Sequence, residues 1–237
     1  MKLTSPGVIL LLAISGWLFS AVSQTSAAAE IPVQVEQDGT YALHITSLKE
    51  ARFKNTIRQK YDFSCGSAAV ATLLTYQYGY PVTEEMAFEQ MYAHGNRQKI
   101  SREGFSLLDI KQFLEANGFD ADGFEVPLAK LEQEHLPAIV LIDEKGYHHF
   151  VVIKGLGEGR VLVGDPARGT RSIPLTQFNK LWKNHLVFVI HNRRSLAVFN
   201  SPADWHAAPI ASLGLGIDRS GLGLLTIPKD GPYDLNL

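Results

Sequence analysis

The sequence predicts an α+β fold, with a helical first half followed by an antiparallel sheet. Three observations lead there. Small or apolar residues run from Ala68 to Leu74 directly behind Cys65, as in a buried helix. Ser106 and Asp109 form a capping pair ahead of an apolar stripe of Leu107, Leu108, Ile110, Phe113 and Leu114. From Ala138 onward the pattern changes to short apolar runs broken by Gly and Asp turns, which reads as strands.

The chain has 237 residues, enough for one good-sized domain with additions. Its formal net charge of −2 offers no basic surface for nucleic acid. The first 29 residues read as a signal peptide. Lys2 gives a positive start, Val8 to Phe19 is apolar apart from Ser15 and Gly16, and Ala27-Ala28-Ala29 is a small-residue cleavage site before Glu30. The apolar stretch is short for a membrane span, so the expectation is cleavage and a periplasmic or otherwise exported product. An uncleaved anchor is the alternative, and the only expected membrane contact.

Taken in order, the mature chain opens with a hairpin extension, 30–50. Val33 and Val35 alternate with polar residues, Asp38-Gly39 is a turn signal, and Tyr41, Leu43 and Ile45 alternate beyond it. A helix follows from Cys65, stopped by Gly79 and Pro81. Thr83 caps a second helix, Glu84 to Ala93. Residues 94–105 read as a loop. Ser106 opens the third helix, which Gly118 stops, and Leu128 to Glu134 is a short fourth one before Pro137. The strands are Ala138 to Ile142, His149 to Ile153, Arg160 to Gly164 and Arg171 to Ile173. A helix from Thr176 to Trp182 and a last strand, Leu186 to Ile190, complete the domain. The 194–237 tail, rich in Gly and Pro, reads as an irregular appendage.

Chemistry concentrates on two stretches. Cys65 is the only cysteine, so no internal disulfide is open to it. At a helix N-terminus the dipole favours thiolate, the nucleophilic form. Gln59, six residues earlier, is placed to donate an amide hydrogen bond to a developing oxyanion. A small buried core cysteine would account for this stretch equally well. The second stretch bears on that choice, although His149 as a paired sheet residue and Asp165-Pro166 as a strand-end turn are each reasonable singly. His148 and His149 are neighbours on a strand, so they point to opposite faces and cannot share a metal site. A hairpin turning at Gly157 sets His149 opposite Asp165, or beside that position if the loop is one residue longer. Directly opposed side chains have Cβ atoms about 5 Å apart. A carboxylate there would orient the imidazole, as in a Cys-His-Asp triad. Pro166 ends the strand.

These residues resemble the C39 peptidases, which have a papain-like fold and cut peptides after paired glycines. The resemblance rests on Gln59, Cys65-Gly66, His149 in His-Phe-Val-Val, and Asp165-Pro166, and covers about Phe53 to Asn192. It implies Cys65 as nucleophile, His149 as base, Asp165 as the orienting residue and Gln59 as oxyanion donor, with no cofactor. More narrowly, the arrangement is similar to small exported C39-like proteins encoded with functional-amyloid secretion systems. Two departures stand out. Ser64 precedes the cysteine where many transporter-linked members have Asp, and Asp62 lies two residues further back. No phosphate-binding Gly-x-x-x-x-Gly-Lys-Ser/Thr motif follows, so the expectation is not a peptidase-transporter. The expected partner is an exported polypeptide substrate, an amyloid subunit or secretion component. The rival readings are a non-cleaving escort on the same fold and a thiol acyl- or peptidyl-transferase. A redox role fails for want of a second cysteine.

Overall fold

The structure, a computed structural model, describes residues 30–35, 39–44 and 47–208. The expected signal peptide, the turn residue Asp38, Ile45 and the chain beyond 208 lie outside the described residues. Two compact units are present, Met1–Thr46 and Ser47–Leu237. In the first, β1 (Glu30–Val35) and β2 (Gly39–His44) pair antiparallel from Glu30↔His44 to Val35↔Gly39. This is the hairpin that the alternation predicts.

The second unit carries the chemistry. Helix α1 (Leu48–Arg52) is capped by the Ser47 hydroxyl. Helix α2 (Cys65–Thr72) is buried on every side. Its small residues allow this, because a helix of Ala, Gly and Ser brings its backbone close to whatever surrounds it. At Gly66 an added Cβ would come within 2.8 Å of Phe105 Cβ, so that helix face tolerates no side chain. The helix runs on into a π-helical segment, Leu73–Gln77. Helix α3 (Glu84–His94) starts at Thr83, whose hydroxyl accepts the Met86 N–H.

The expected loop at 94–105 is wrong. Residues Arg97–Glu103 form α4, capped by Asn96 Oδ1 on the Lys99 N–H at 3.1 Å and ended by Gly104 at φ 81°. Only Ile100 of this helix is buried, so it carries no apolar stripe to read. Helix α5 (Leu107–Ala116) has the full capping box. Asp109 N–H donates to Ser106 Oγ, and Ser106 N–H donates to Asp109 Oδ2 at 2.7 Å. Ile110, Phe113 and Leu114 are buried as expected, while Leu108 faces solvent.

Strand β3 (Ala121–Glu125) is an element the sequence reading lacks. The remaining elements are α6 (Leu128–Glu134), β4 (Ala138–Glu144), β5 (Tyr147–Gly157), β6 (Arg160–Asp165), β7 (Gly169–Pro174), α7 (Leu175–Leu181), β8 (Leu186–Ile190) and α8 (Pro202–Ala207). Helix α8 lies inside the expected irregular tail. Six strands form one antiparallel sheet in the order β3-β8-β4-β5-β6-β7.

Alternation along β4 and β5 splits the core in two. Ile139, Phe150 and Val152 pack with the residues of α2, α3 and α5. Val140, Ile142, Val151 and Ile153 pack with Leu131 of α6, Phe178 of α7 and Trp182. The sheet is thus covered on both faces, and its central strands are apolar on both sides.

Candidate active site

Cys65 is the first residue of α2. Ser64 before it does not cap the helix with its side chain. Its hydroxyl instead accepts the Tyr61 N–H at 3.1 Å and donates to the Tyr61 carbonyl at 3.0 Å, which closes a tight turn over 61–64. The Ser64 side chain thus leaves the first N–H groups of α2 uncapped. The Cys65 thiol meets the backbone N–H groups of Phe150, Gly66 and Cys65 itself. Phe150 lies one alternation step beyond Val152, the last β5 residue paired with β6. The sulfur therefore sits beside β5 just past the point where β6 leaves it.

The low thiol pKa expected from the helix dipole is not what this setting produces. Burial pushes the Cys65 thiol up, the Asp165 charge adds to that, and the three N–H groups pull down without overcoming it.

His149 and Asp165 do meet. His149 Nε2 lies 3.5 Å from Asp165 Oδ2, with both side chains almost wholly out of solvent. The route differs from the expected one. The hairpin turns at Glu158-Gly159, not at Gly157, with φ of 50° and 68°, both positive as a type I′ turn requires. Register then shifts at a bulge between Ile153 and Gly155. Val152 pairs with Gly164, so Asp165 comes level with Val151 and sits diagonal to His149 on the same face. Diagonal Cβ atoms are about 7–8 Å apart, a gap that an imidazole and a carboxylate can close.

Asp165 is held from several sides. Its Oδ1 accepts the N–H groups of Ala167 at 2.9 Å and Arg168 at 3.2 Å, a local turn stiffened by Pro166. Its Oδ2 faces Arg171 Nη2 at 2.9 Å as well as His149. Burial pushes this carboxyl up, but His149, Arg171 and the Ala167 N–H outweigh it and hold it below the ordinary carboxylate value. Among the described residues neither ring nitrogen of His149 makes a hydrogen bond, and with Nε2 turned to Asp165, Nδ1 is available as base. His148 points to the other face, with Nε2 3.6 Å from Asp143 Oδ2, as the alternation requires.

Gln59 borders the site, with its side chain engaged differently from the expectation. Its backbone N–H donates to Pro166 O at 3.1 Å, which ties it to the Asp165 turn. Its amide Nε2 donates to Tyr61 O at 3.0 Å. It also reaches Asp62 O at 3.4 Å, so its second hydrogen has to leave that carbonyl to meet an oxyanion.

Two residues of this site escape the sequence reading. Tyr147 shares a face with His149, its ring packing edge-on against the imidazole at 5.2 Å. Its hydroxyl donates to Asp62 O at 3.0 Å, across to the turn ahead of the cysteine. The alternation that places His149 also places Tyr147, so the signal was present. Arg171 is diagonal to Asp165 through the Asp165↔Gly169 pair, as His149 is on the other side. Finding it needs the β6–β7 register.

A cysteine at the start of a buried helix, beside a strand that bears a histidine paired with a carboxylate, defines the class as a cysteine peptidase. The chain belongs to the Peptidase C39 family, whose model matches residues 53–194. It is 43% identical over 146 residues to the probable functional amyloid protease FapD of Pseudomonas aeruginosa, covering 62% of this chain and 64% of that protein. The probable functional amyloid protease FapD of Pseudomonas fluorescens is 35% identical over 184 residues, 77% of this chain and 76% of that one. The chain thus aligns with just under two thirds of the first relative and about three quarters of the second. Among solved structures, a double glycine motif protease from an AMS/PCAT transporter, in complex with the leader peptide, is 26% identical with a TM-score of 0.47. It covers 57% of this chain and 91% of that one.

Proposed function

We propose that this protein is an exported cysteine peptidase that cuts an extended stretch of another exported polypeptide after a Gly-Gly pair, in the processing or secretion of an amyloid-type protein. The observation that carries the peptidase reading is the His149–Asp165 contact beside the Cys65 thiol. Sulfur attacks the scissile carbonyl while His149 Nδ1 takes its proton, so a thiol pushed up by burial is no obstacle. Gln59 Nε2 and the Cys65 backbone N–H receive the oxyanion. The C–N bond breaks as the imidazolium protonates the leaving amine. Water, deprotonated by His149, then cleaves the thioester and returns the thiol. Asp165 keeps the imidazole turned throughout.

The amyloid substrate follows the names of the two Pseudomonas relatives, and the Gly-Gly preference follows the double glycine motif protease. Export rests on the Lys2, apolar and Ala27-Ala28-Ala29 pattern. This chain contains no Gly-Gly pair, so its partner must supply one.

The test is mass spectrometry of the exported proteins from cells carrying wild type or Cys65→Ala, with N-terminal sequencing of the mature enzyme. The proposal expects cysteine-dependent cuts after Gly-Gly and a mature start near Glu30. Cuts clustered after bulky or charged residues reject the Gly-Gly part. No cuts, with tight binding of one exported protein by both versions, support the escort.

A further inference from the structure

The bulge that brings His149 and Asp165 together is built around a buried lysine. Lys154 is the extra residue between Ile153↔Val163 and Gly155↔Leu162. Because side chains alternate, a one-residue shift in register exchanges the faces of a strand. Without the bulge, the register set by the Glu158-Gly159 turn would bring Asp165 level with Val152, on the face opposite to His149. The pairing of these two residues depends on where the bulge sits.

Lys154 is fully buried, and its Nζ is held by Asp204 Oδ1 at 2.6 Å and by the Asn55 carbonyl at 2.7 Å. Asp204 lies on α8 and also receives the side-chain amides of Asn55 and Gln77. Asn200 supports the same point from the backbone side. Its N–H donates to the Lys154 carbonyl at 2.9 Å, and its Oδ1 accepts the Leu156 N–H at 2.8 Å. Two glycines make room for this. A Cβ on Gly155 would lie 2.2 Å from Asn200 Oδ1, and one on Gly164 would lie 3.1 Å from the Lys154 stem. All of these groups lie outside the chemistry, and Asn200 and Asp204 lie beyond the residues matched by the family model.

We propose that Lys154, Asn200 and Asp204 are positioning residues: the 200–204 segment clamps the bulge and so sets the register at which Asp165 reaches His149. The proposal rests on the His149–Asp165 pair assigned above. Burial draws the Lys154 ammonium below its ordinary value even against the pull of Asp204, so this charge stays in place only while its partner does.

The test reads the pair directly and needs no substrate. The full chain is labelled with 15N-histidine and compared as wild type, Asp204→Asn, Asn200→Ala, Asp165→Asn and the double variants on Asp165→Asn. Asp165→Asn should shift the His149 ring resonances. Asp204→Asn and Asn200→Ala should shift them the same way, with loss of the Ile153–Val163 cross-strand contact, and should add nothing on the Asp165→Asn background. The same His149 spectrum as wild type in folded Asp204→Asn or Asn200→Ala overturns the clamp. So does a shift that persists in full on the Asp165→Asn background. If Asp204→Asn does not fold, Asn200→Ala decides, since it leaves the Lys154 charge paired. An unmoved His149 in Asp165→Asn itself would instead refute the His149–Asp165 pair, and the clamp with it.

Discussion

Replacing Asp165 by Asn removes one charge and one acceptor oxygen at a site with no exposure. The carboxylate accepts the Ala167 and Arg168 N–H groups and faces Arg171 Nη2 at 2.9 Å and His149 Nε2 at 3.5 Å. Asparagine has one oxygen. If that oxygen stays on the two backbone N–H groups, the amide NH2 is forced against Arg171 and His149, which are themselves donors. If it flips, the two backbone donors are stranded. Breaking a buried charged contact by removing one partner costs about 3–5 kcal/mol. Arg171 keeps Glu144 at 2.7 Å, which places the loss near the lower end. The cost should also depend on pH. The folded carboxyl titrates below its ordinary value, so its contribution is complete above the unfolded pKa of about 3.9 and disappears as pH falls through the folded value. Urea unfolding of wild type and Asp165→Asn should therefore differ most at pH 7, and the gap should narrow below about pH 4. A gap unchanged between pH 7 and pH 3, or no gap at pH 7, would refute this account of Asp165.

Cys65→Ser and His149→Ala should each remove nearly all cleavage of a Gly-Gly peptide, and Asp165→Asn should leave more activity than either, because it orients and does not react. Gln59→Ala should lower the cleavage rate by about 100- to 1,000-fold, the usual cost of one oxyanion donor. A wild-type rate would remove Gln59 from the mechanism and leave its amide to the carbonyls of Tyr61 and Asp62. Iodoacetamide should label resting Cys65 more slowly than a free thiol at pH 7, because burial pushes the thiol up and covers it. Fast labelling would restore the low thiol pKa that the helix start alone suggests. Gly66→Ala should destabilise the fold by about 1–3 kcal/mol through its clash with Phe105, read as a drop in Tm.

Local signals carried most of the fold. The Ser106–Asp109 capping box, the Thr83 cap and the Leu128–Glu134 helix are each written in a few adjacent residues, and the structure has all three. Elements with little burial were not legible. Helix α4 buries only Ile100, and β3 is an edge strand with Gly123, Phe124 and Glu125 exposed, so neither leaves a periodic trace. The π-helical turn after α2 has no sequence mark at all. Helix α8 was hidden because a Gly- and Pro-bearing tail reads as irregular, while the partners that order it, Asn55, Gln77 and Lys154, are far away in the chain.

The His149–Asp165 contact shows why a correct prediction can rest on an incomplete argument. Symmetry about Gly157 places Asp165 opposite His149. The observed register is displaced from that by two residues, which keeps the face and turns an opposed pair into a diagonal one. A displacement of one residue would have put the carboxylate on the wrong face. The tight turn at Glu158-Gly159 alone produces that wrong parity, and the bulge at Lys154 corrects it. In Val-Val-Ile-Lys-Gly the glycine is the one hint of a bulge, and a lysine before a glycine reads as readily as the end of a strand. Its cause lies some fifty residues on, at Asp204, which holds the ammonium inside the fold. The His149–Asp165 pair is thus legible in its residue types and in the alternation of its strands. Its register is a tertiary property, supplied by a segment that looks from its sequence as if it does nothing.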